Sequence, residues 1–235
     1  MRRQRFGTLD CVVVDGDGAS ADAPVCVFLH GFGAPGDDLV GLVPYLKVPR
    51  GTRWVFPAAP LELDGLYGDA RAWWMIDLDR LQRELSRGAV DRAAELPEGL
   101  PAARAALIGA LDEIRATLGV PDDRVVLGGF SQGAMLSLDV ALHTERAFAG
   151  LVLMSGTLIA EPEWAPRMPA RKGLRVVQSH GTHDPLLPFA VAERLRDLLK
   201  GAGLDVTWVP FRGQHEIPPP VLAAAGEFIG RVTGG

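Results

Sequence analysis

Short apolar runs alternate along the chain with stretches whose apolar residues recur at helical spacing. Val12-Val13-Val14 and Val25-Cys26-Val27-Phe28-Leu29 flank the turn signal Asp15-Gly16-Asp17-Gly18, which predicts an opening hairpin. Trp54-Val55-Phe56, Val125-Val126-Leu127, Leu151-Val152-Leu153, Val176-Val177 and Val206-Thr207-Trp208-Val209 follow. They carry almost no polar alternation, the mark of strands buried on both faces. Helical patterns cover roughly 102 to 118, 132 to 146, 189 to 201 and 219 to 232, and in the second Met135, Leu138 and Leu142 lie on one face. Strands and helices in this alternation predict an α/β fold with a mostly parallel central sheet and helices on both faces.

Residues 61 to 100 break the rhythm. Gly65, Gly68, Gly88, Pro97 and Gly99, mixed charges and the pair Trp73-Trp74 give no clean period there, so an ordered excursion over a site is expected. No repeat or linker divides the chain, and its 235 residues with 48% hydrophobic content suit one domain, 1–235. The formal charge is −5, with both signs interspersed, which leaves no footprint for nucleic acid or an anionic membrane. No uncharged apolar run reaches the roughly 18 residues of a membrane span, so no stable membrane insertion is expected. The N-terminus, Met1-Arg2-Arg3-Gln4-Arg5, lacks an apolar segment behind its charges, and a cytoplasmic location is expected. Cys11 and Cys26 lie inside apolar runs and read as reduced core residues.

Candidate chemistry begins at Gly129-Phe130-Ser131-Gln132-Gly133. This G-x-S-x-G sequence follows a predicted strand and opens a predicted helix, the context in which a sharp turn presents a serine hydroxyl in strained backbone geometry. Such a hydroxyl is a poor nucleophile until a base takes its proton, so a histidine and an orienting carboxylate are required, in the chain order Ser, Asp or Glu, His. Of five histidines only His215 lies late, in a loop after a strand. Asp184, in Gly181-Thr182-His183-Asp184-Pro185, ends the preceding strand, whereas Asp139 and Asp197 fall within helical patterns and Asp205 precedes a strand.

A tetrahedral intermediate also needs donors for its oxyanion. The N–H of Gln132 is one candidate; Leu29-His30-Gly31-Phe32-Gly33 has the H-G-x-G form that supplies the other, from Phe32. His180, His183 and Asp184 lack the spacing of a zinc site, and neither G-x-G-x-x-G nor a P-loop occurs, so no metal or organic cofactor is expected. Trp73 and Trp74 are candidates for an acyl pocket, with Leu66, Leu158, Ile159, Leu186 and Leu187 beside them; each serves equally well as core filling.

Several of these segments, in order, resemble the carboxylesterase and acyl-protein thioesterase (phospholipase/carboxylesterase) branch of the α/β-hydrolases. They are Phe28-Leu29-His30-Gly31-Phe32-Gly33, Phe56-Pro57-Ala58-Ala59-Pro60, Ala70-Arg71-Ala72-Trp73-Trp74, Gly128-Gly129-Phe130-Ser131-Gln132-Gly133, Leu153-Met154-Ser155-Gly156, His180-Gly181-Thr182-His183-Asp184 and His215-Glu216-Ile217. The resemblance implies an α/β-hydrolase fold without a separate lid domain. It implies Ser131 as nucleophile, Asp184 and His215 as its partners, and Phe32 and Gln132 as oxyanion donors. Two positions depart from the family pattern: Ala134 stands where a further glycine is common, and Gln214 separates Gly213 from His215.

The expected activity is therefore hydrolysis of soluble short- to medium-chain carboxylic esters, small molecules, through an acyl-enzyme. An acyl-thioesterase or lysophospholipase with the same machinery is the alternative. A non-catalytic binding protein on the same fold is a third reading, against which the retention of all three positions argues. Acyl length and the choice between monomer and homodimer depend on tertiary contacts and stay open.

Overall fold

The computed structural model describes all residues except 21–22, 64–67, 78, 81–82, 84–89 and 235. Its strands, in chain order, are β1 (Arg2–Phe6), β2 (Leu9–Val14), β3 (Val25–Leu29), β4 (Arg53–Pro57), β5 (Leu61–Glu62), β6 (Arg71–Ala72), β7 (Val125–Phe130), β8 (Gly150–Met154), β9 (Arg175–Gly181) and β10 (Asp205–Phe211). The α-helices described are α1 (Leu100–Leu118), α2 (Gln132–His143), α3 (Glu161–Trp164), α4 (Phe189–Gly201) and α5 (Pro219–Thr233). Eight strands form one sheet in the order β1-β2-β4-β3-β7-β8-β9-β10, parallel from β4 onward. This is the mostly parallel α/β sheet that the alternation of runs predicts, in the α/β-hydrolase fold that the resemblance implies.

Alternate residues on each inner strand enter opposite cores, which is why these runs are apolar throughout. On β3, Val25, Val27 and Leu29 join α1, α2 and α4 on one face, while Cys26 and Phe28 join α5 on the other. Helix α2 is buried on every side and accordingly carries few polar residues. It stops at His143 rather than near 146. Its last carbonyls are taken by side chains: Thr144 Oγ1 donates to Val140 O at 2.9 Å, and His143 Nδ1 bonds Asp139 O at 2.8 Å.

The opening differs from the expected hairpin. Val12–Val14 does not pair with Val25–Leu29; β2 pairs antiparallel with β1 on one side and β4 on the other, with Val13 opposite Val55. The apolar faces of β2 and β3 are both satisfied, but with β4 inserted between them. Strand β1 itself, Arg-Arg-Gln-Arg-Phe, escapes a hydrophobic reading because it is an edge strand exposed along most of its length.

The sheet order reverses around β3. The chain proceeds from β3 to β4 on one side and later to β7 on the other, which leaves a crevice beyond the carboxyl ends of β3 and β7. The glycine loop after β3 and the serine turn after β7 both open into it.

Candidate active site

Ser131 follows β7 and precedes α2 with φ 53°, a left-handed value that a non-glycine residue holds only where its surroundings enforce it. Its N–H is tied to Met154 O at 2.9 Å. The flanking glycines make the turn possible by contact distance: a Cβ on Gly129 or Gly133 would lie 2.3 or 2.2 Å from Leu29 O. The elbow therefore presses directly on the end of β3, and the serine hydroxyl is driven outward. The departure at Ala134 is accommodated from the other side. Gly156 faces it without a side chain, where a Cβ would come within 2.9 Å of the alanine methyl.

Loops after β9 and β10 bring the two partners to this hydroxyl. Thr182 N–H donates to Phe211 O and His183 N–H to Gly213 O, each at 2.9 Å, so the loops run side by side. His215 Nε2 lies 2.9 Å from Ser131 Oγ, and His215 Nδ1 lies 2.6 Å from Asp184 Oδ2. The Phe130 ring packs on the imidazole at 4.8 Å between centroids. Asp184 Oδ1 accepts N–H groups from Leu186 at 2.9 Å and Leu187 at 3.0 Å. Burial alone would raise this carboxyl; the His215 hydrogen bond and charge, with the two amides, outweigh it and hold Asp184 below the usual carboxylate range. It is ionised at neutral pH. Asp139, the helical competitor, is wholly buried and committed elsewhere, to Arg104 Nε at 2.6 Å and Trp164 Nε1 at 2.9 Å.

The two oxyanion candidates face the same crevice. Gln132 is the first residue of α2, so its N–H is among those without an acceptor inside the helix, at the positive end of the helix dipole. The loop carrying Phe32 approaches closely because Gly31 lacks a side chain: a Cβ there would meet the Phe130 ring at 3.2 Å and Ser131 Cβ at 3.4 Å.

His30, in the same loop, is buried and its tautomer is set by its neighbours. Nδ1–H donates to Gly31 O at 2.8 Å, so Nε2 accepts the Ala59 N–H at 3.0 Å. Burial pushes its pKa down to about 4. Protonation would also set Nε2–H against the Ala59 donor. The consequence for stability has a definite sign. Above roughly pH 6.5 both folded and unfolded chains hold this ring neutral; as pH falls toward 4 only the unfolded chain takes up the proton. Stability is thus lost on acidification through that window, by about 3 kcal/mol from this group. His180, whose pKa burial also lowers, acts in the same direction. Urea denaturation at pH 7.5 and pH 4.5 should show the loss, and His30→Gln should shrink it; an equal loss in that variant would remove His30 from the account.

Over the crevice lies a cavity of about 720 Å³, reached by Ser131 and His215. Trp74, Leu158, Ile159, Leu186 and Leu187 line it. Trp73 does not. Its ring is buried in the core and its Nε1–H donates to His30 O at 3.0 Å, whereas Trp74, packed in the same core, also borders the cavity. Leu66 lies outside the described residues. Met75, Ile76, Val90, Leu96 and Met135 also line the cavity and were missed. Met135, one helical turn beyond Ser131, was accessible to a spacing argument; the others sit where no period exists. His180 and His183 diverge: the first is buried with Nε2 3.0 Å from Leu187 O, the second is exposed and bonds Thr182. Among the described residues no group of three or more His, Cys, Asp or Glu is placed to hold a metal ion.

A serine beside a histidine and a carboxylate at the switch point of such a sheet is the arrangement of the serine hydrolases of the α/β-hydrolase fold, enzymes that include the carboxylesterases. Within that class residues 10–233 match the phospholipase/carboxylesterase family, and the chain belongs to it. It is 26% identical over 220 residues to acyl-protein thioesterase 1 of Schizosaccharomyces pombe, covering 91% of this chain and 93% of that protein. A second acyl-protein thioesterase 1, from Cryptococcus neoformans, is 29% identical over 190 residues, 76% of this chain and 74% of its own. Among solved structures, esterase PE8 superimposes with a TM-score of 0.80 at 25% identity, over 95% of this chain and 99% of its own. The Bacillus cereus carboxylesterase shares the fold with a TM-score of 0.70 at 21% identity, over 95% and 94% of the two chains.

Proposed function

We propose that the protein hydrolyses small, soluble carboxylic esters of short to medium acyl length, with Ser131, His215 and Asp184 as its triad. The continuous hydrogen-bonded row from Ser131 Oγ through His215 to Asp184, at 2.9 and 2.6 Å, carries this reading. Ser131 Oγ attacks the ester carbonyl as His215 Nε2 takes its proton; the resulting imidazolium then protonates the leaving alkoxide. The N–H groups of Phe32 and Gln132 donate hydrogen bonds to the carbonyl oxygen as negative charge gathers on it. Water, deprotonated by His215, releases the acid from the acyl-enzyme by the same route in reverse. Asp184 keeps the imidazole in the tautomer with Nδ1–H and steadies its positive form.

The cavity volume falls within the usual range for small-molecule pockets, and its lining is largely apolar, as an acyl chain requires. A thioester substrate is the second reading, favoured by the likeness to two acyl-protein thioesterases. No helix among the described residues is long and apolar enough to cross a membrane, and both cysteines are free and buried. Those free thiols suit the cytoplasmic location we propose.

The test is a p-nitrophenyl ester series from acetyl to palmitoyl, run beside thioesters of matched acyl length. The proposal expects kcat/KM to peak between butyryl and octanoyl on oxygen esters. A thioester preference of about 100-fold or more at every length, beyond the greater intrinsic reactivity of thioesters measured without enzyme, would transfer the assignment to the second reading.

A further inference from the structure

The two oxyanion donors proposed above come from segments about 100 residues apart, and one buried residue bonds to both. Trp73 N–H donates to Gln132 Oε1 at 2.9 Å, and its indole Nε1–H donates to His30 O at 3.0 Å. Gln132 Nε2–H completes the contact by donating to Trp74 O at 2.8 Å. His30, Trp73 and Gln132 are 1%, 1% and 2% exposed, so water does not compete for any of these bonds. The loop after β3 is tied to the same stretch a second time: Gly33 N–H donates to Arg71 O at 2.9 Å and Arg71 N–H to Ala34 O at 3.1 Å.

From this we infer that Trp73 and the Gln132 side chain form a brace that sets the separation of the Phe32 and Gln132 amides. Both are positioning residues; neither reaches the cavity with the groups used here. The need for a brace follows from the loop. Residues 30–34 contain two glycines, and the backbone of such a loop does not by itself hold an amide within tenths of an ångström. Donors for an oxyanion work at about 2.7–3.1 Å from the charge, and a 1 Å misplacement costs on the order of 100-fold in rate. Fastening His30 O and the first residue of α2 to one rigid, buried indole and its own peptide removes that freedom from both sides of the hole. The same brace explains why the side chain at the second x of G-x-S-x-G is an amide: it accepts from one peptide of residues 73–74 and donates to the other, which no apolar or acidic side chain of that length does.

The inference rests on the triad and oxyanion reading, and the experiment separates the two. Trp73→Phe keeps a ring in the core but removes the indole N–H together with part of the ring volume, a packing loss that the thermal midpoint reads; Gln132→Met keeps chain length and removes both side-chain amide hydrogen bonds. Each variant, and the double, is assayed for kcat and KM on p-nitrophenyl butyrate, for Ki of an alkyl trifluoromethyl ketone, and for thermal midpoint. The ketone probes the hole because Ser131 Oγ adds to its carbonyl, with the proton passing to His215, and leaves an oxyanion there. The brace predicts kcat lower by about tenfold in each single variant, KM within about twofold, and Ki raised in step with the fall in kcat. The double variant should lose little more than the worse single, because both bonds serve one geometry. Unchanged kcat and Ki with a lowered thermal midpoint would reduce Trp73 to core filling and overturn the inference. If Trp73→Phe does not fold, the same readouts on Gln132→Met decide. Ser131→Ala runs alongside: its inactivity beside a fully active Trp73→Phe defeats the brace alone, whereas its retained turnover defeats the reading beneath it.

Discussion

Ser131→Ala should lower kcat/KM for p-nitrophenyl butyrate by about 10⁴- to 10⁶-fold while leaving the protein folded. The hydroxyl is the only group lost, and the hydrogen bond that the residue 131 N–H donates to Met154 O does not depend on it. Alanine must still adopt φ 53°, a strain the serine already bears, so the change in stability should stay within about 1 kcal/mol. What activity remains would come from binding and from the oxyanion donors, which still stabilise the oxyanion formed when water attacks in place of the serine. A fluorophosphonate that labels the parent protein at Ser131 should leave the variant unlabelled. Turnover within tenfold of the parent, or undiminished labelling, would place the nucleophile elsewhere.

The second large effect is expected from Asp184→Asn, about 10⁴-fold in kcat at neutral pH. Asparagine occupies nearly the same volume, and its carbonyl oxygen continues to accept the Leu186 and Leu187 amides at the Oδ1 position. The NH₂ group then takes the Oδ2 position, 2.6 Å from His215 Nδ1, where the carboxylate now sits. Two donors cannot face each other, so the imidazole must present a lone pair at Nδ1 and carry its proton on Nε2. That nitrogen lies 2.9 Å from Ser131 Oγ and, already protonated, is unable to act as base. The fold is preserved while the tautomer is reversed, which a thermal midpoint close to that of the parent would confirm. Activity within tenfold of the parent would show that the tautomer is set by some other contact.

The sequence made much of this site legible because its parts are locally encoded. A strand, a glycine-flanked serine and a helix are contiguous, and the steric demand on Gly129 and Gly133 arises at the turn they make. Asp184 and His215 were singled out from chain order and from their places after strands, and the fold brings both to Ser131. The inner strands were equally plain, since burial on both faces makes their cores runs of apolar residues, even where β9 goes on into the buried Gln178, Ser179 and His180. Strand β1 was not, because an edge strand beside solvent tolerates arginine at three of its five positions. The pairing of β2 was also hidden. An apolar strand carries no mark of which apolar neighbour it will join, and a turn signal between two runs does not exclude a third strand between them.

The same division holds at the level of single side chains. Chemistry that depends on residue type and order, a serine in a strained turn with a histidine and an acid after later strands, can be read from the chain alone. Which way a side chain points where no period constrains it cannot. Trp73 and Trp74 are identical and adjacent, yet one is sealed against His30 and Gln132 and the other lines the cavity. The Trp73 ring is fixed by a hydrogen-bond partner 43 residues away, His30 O, which meets it only once the sheet has formed. Local sterics act between neighbours in the chain and leave their trace in its pattern; long-range polar contacts act between segments and leave none.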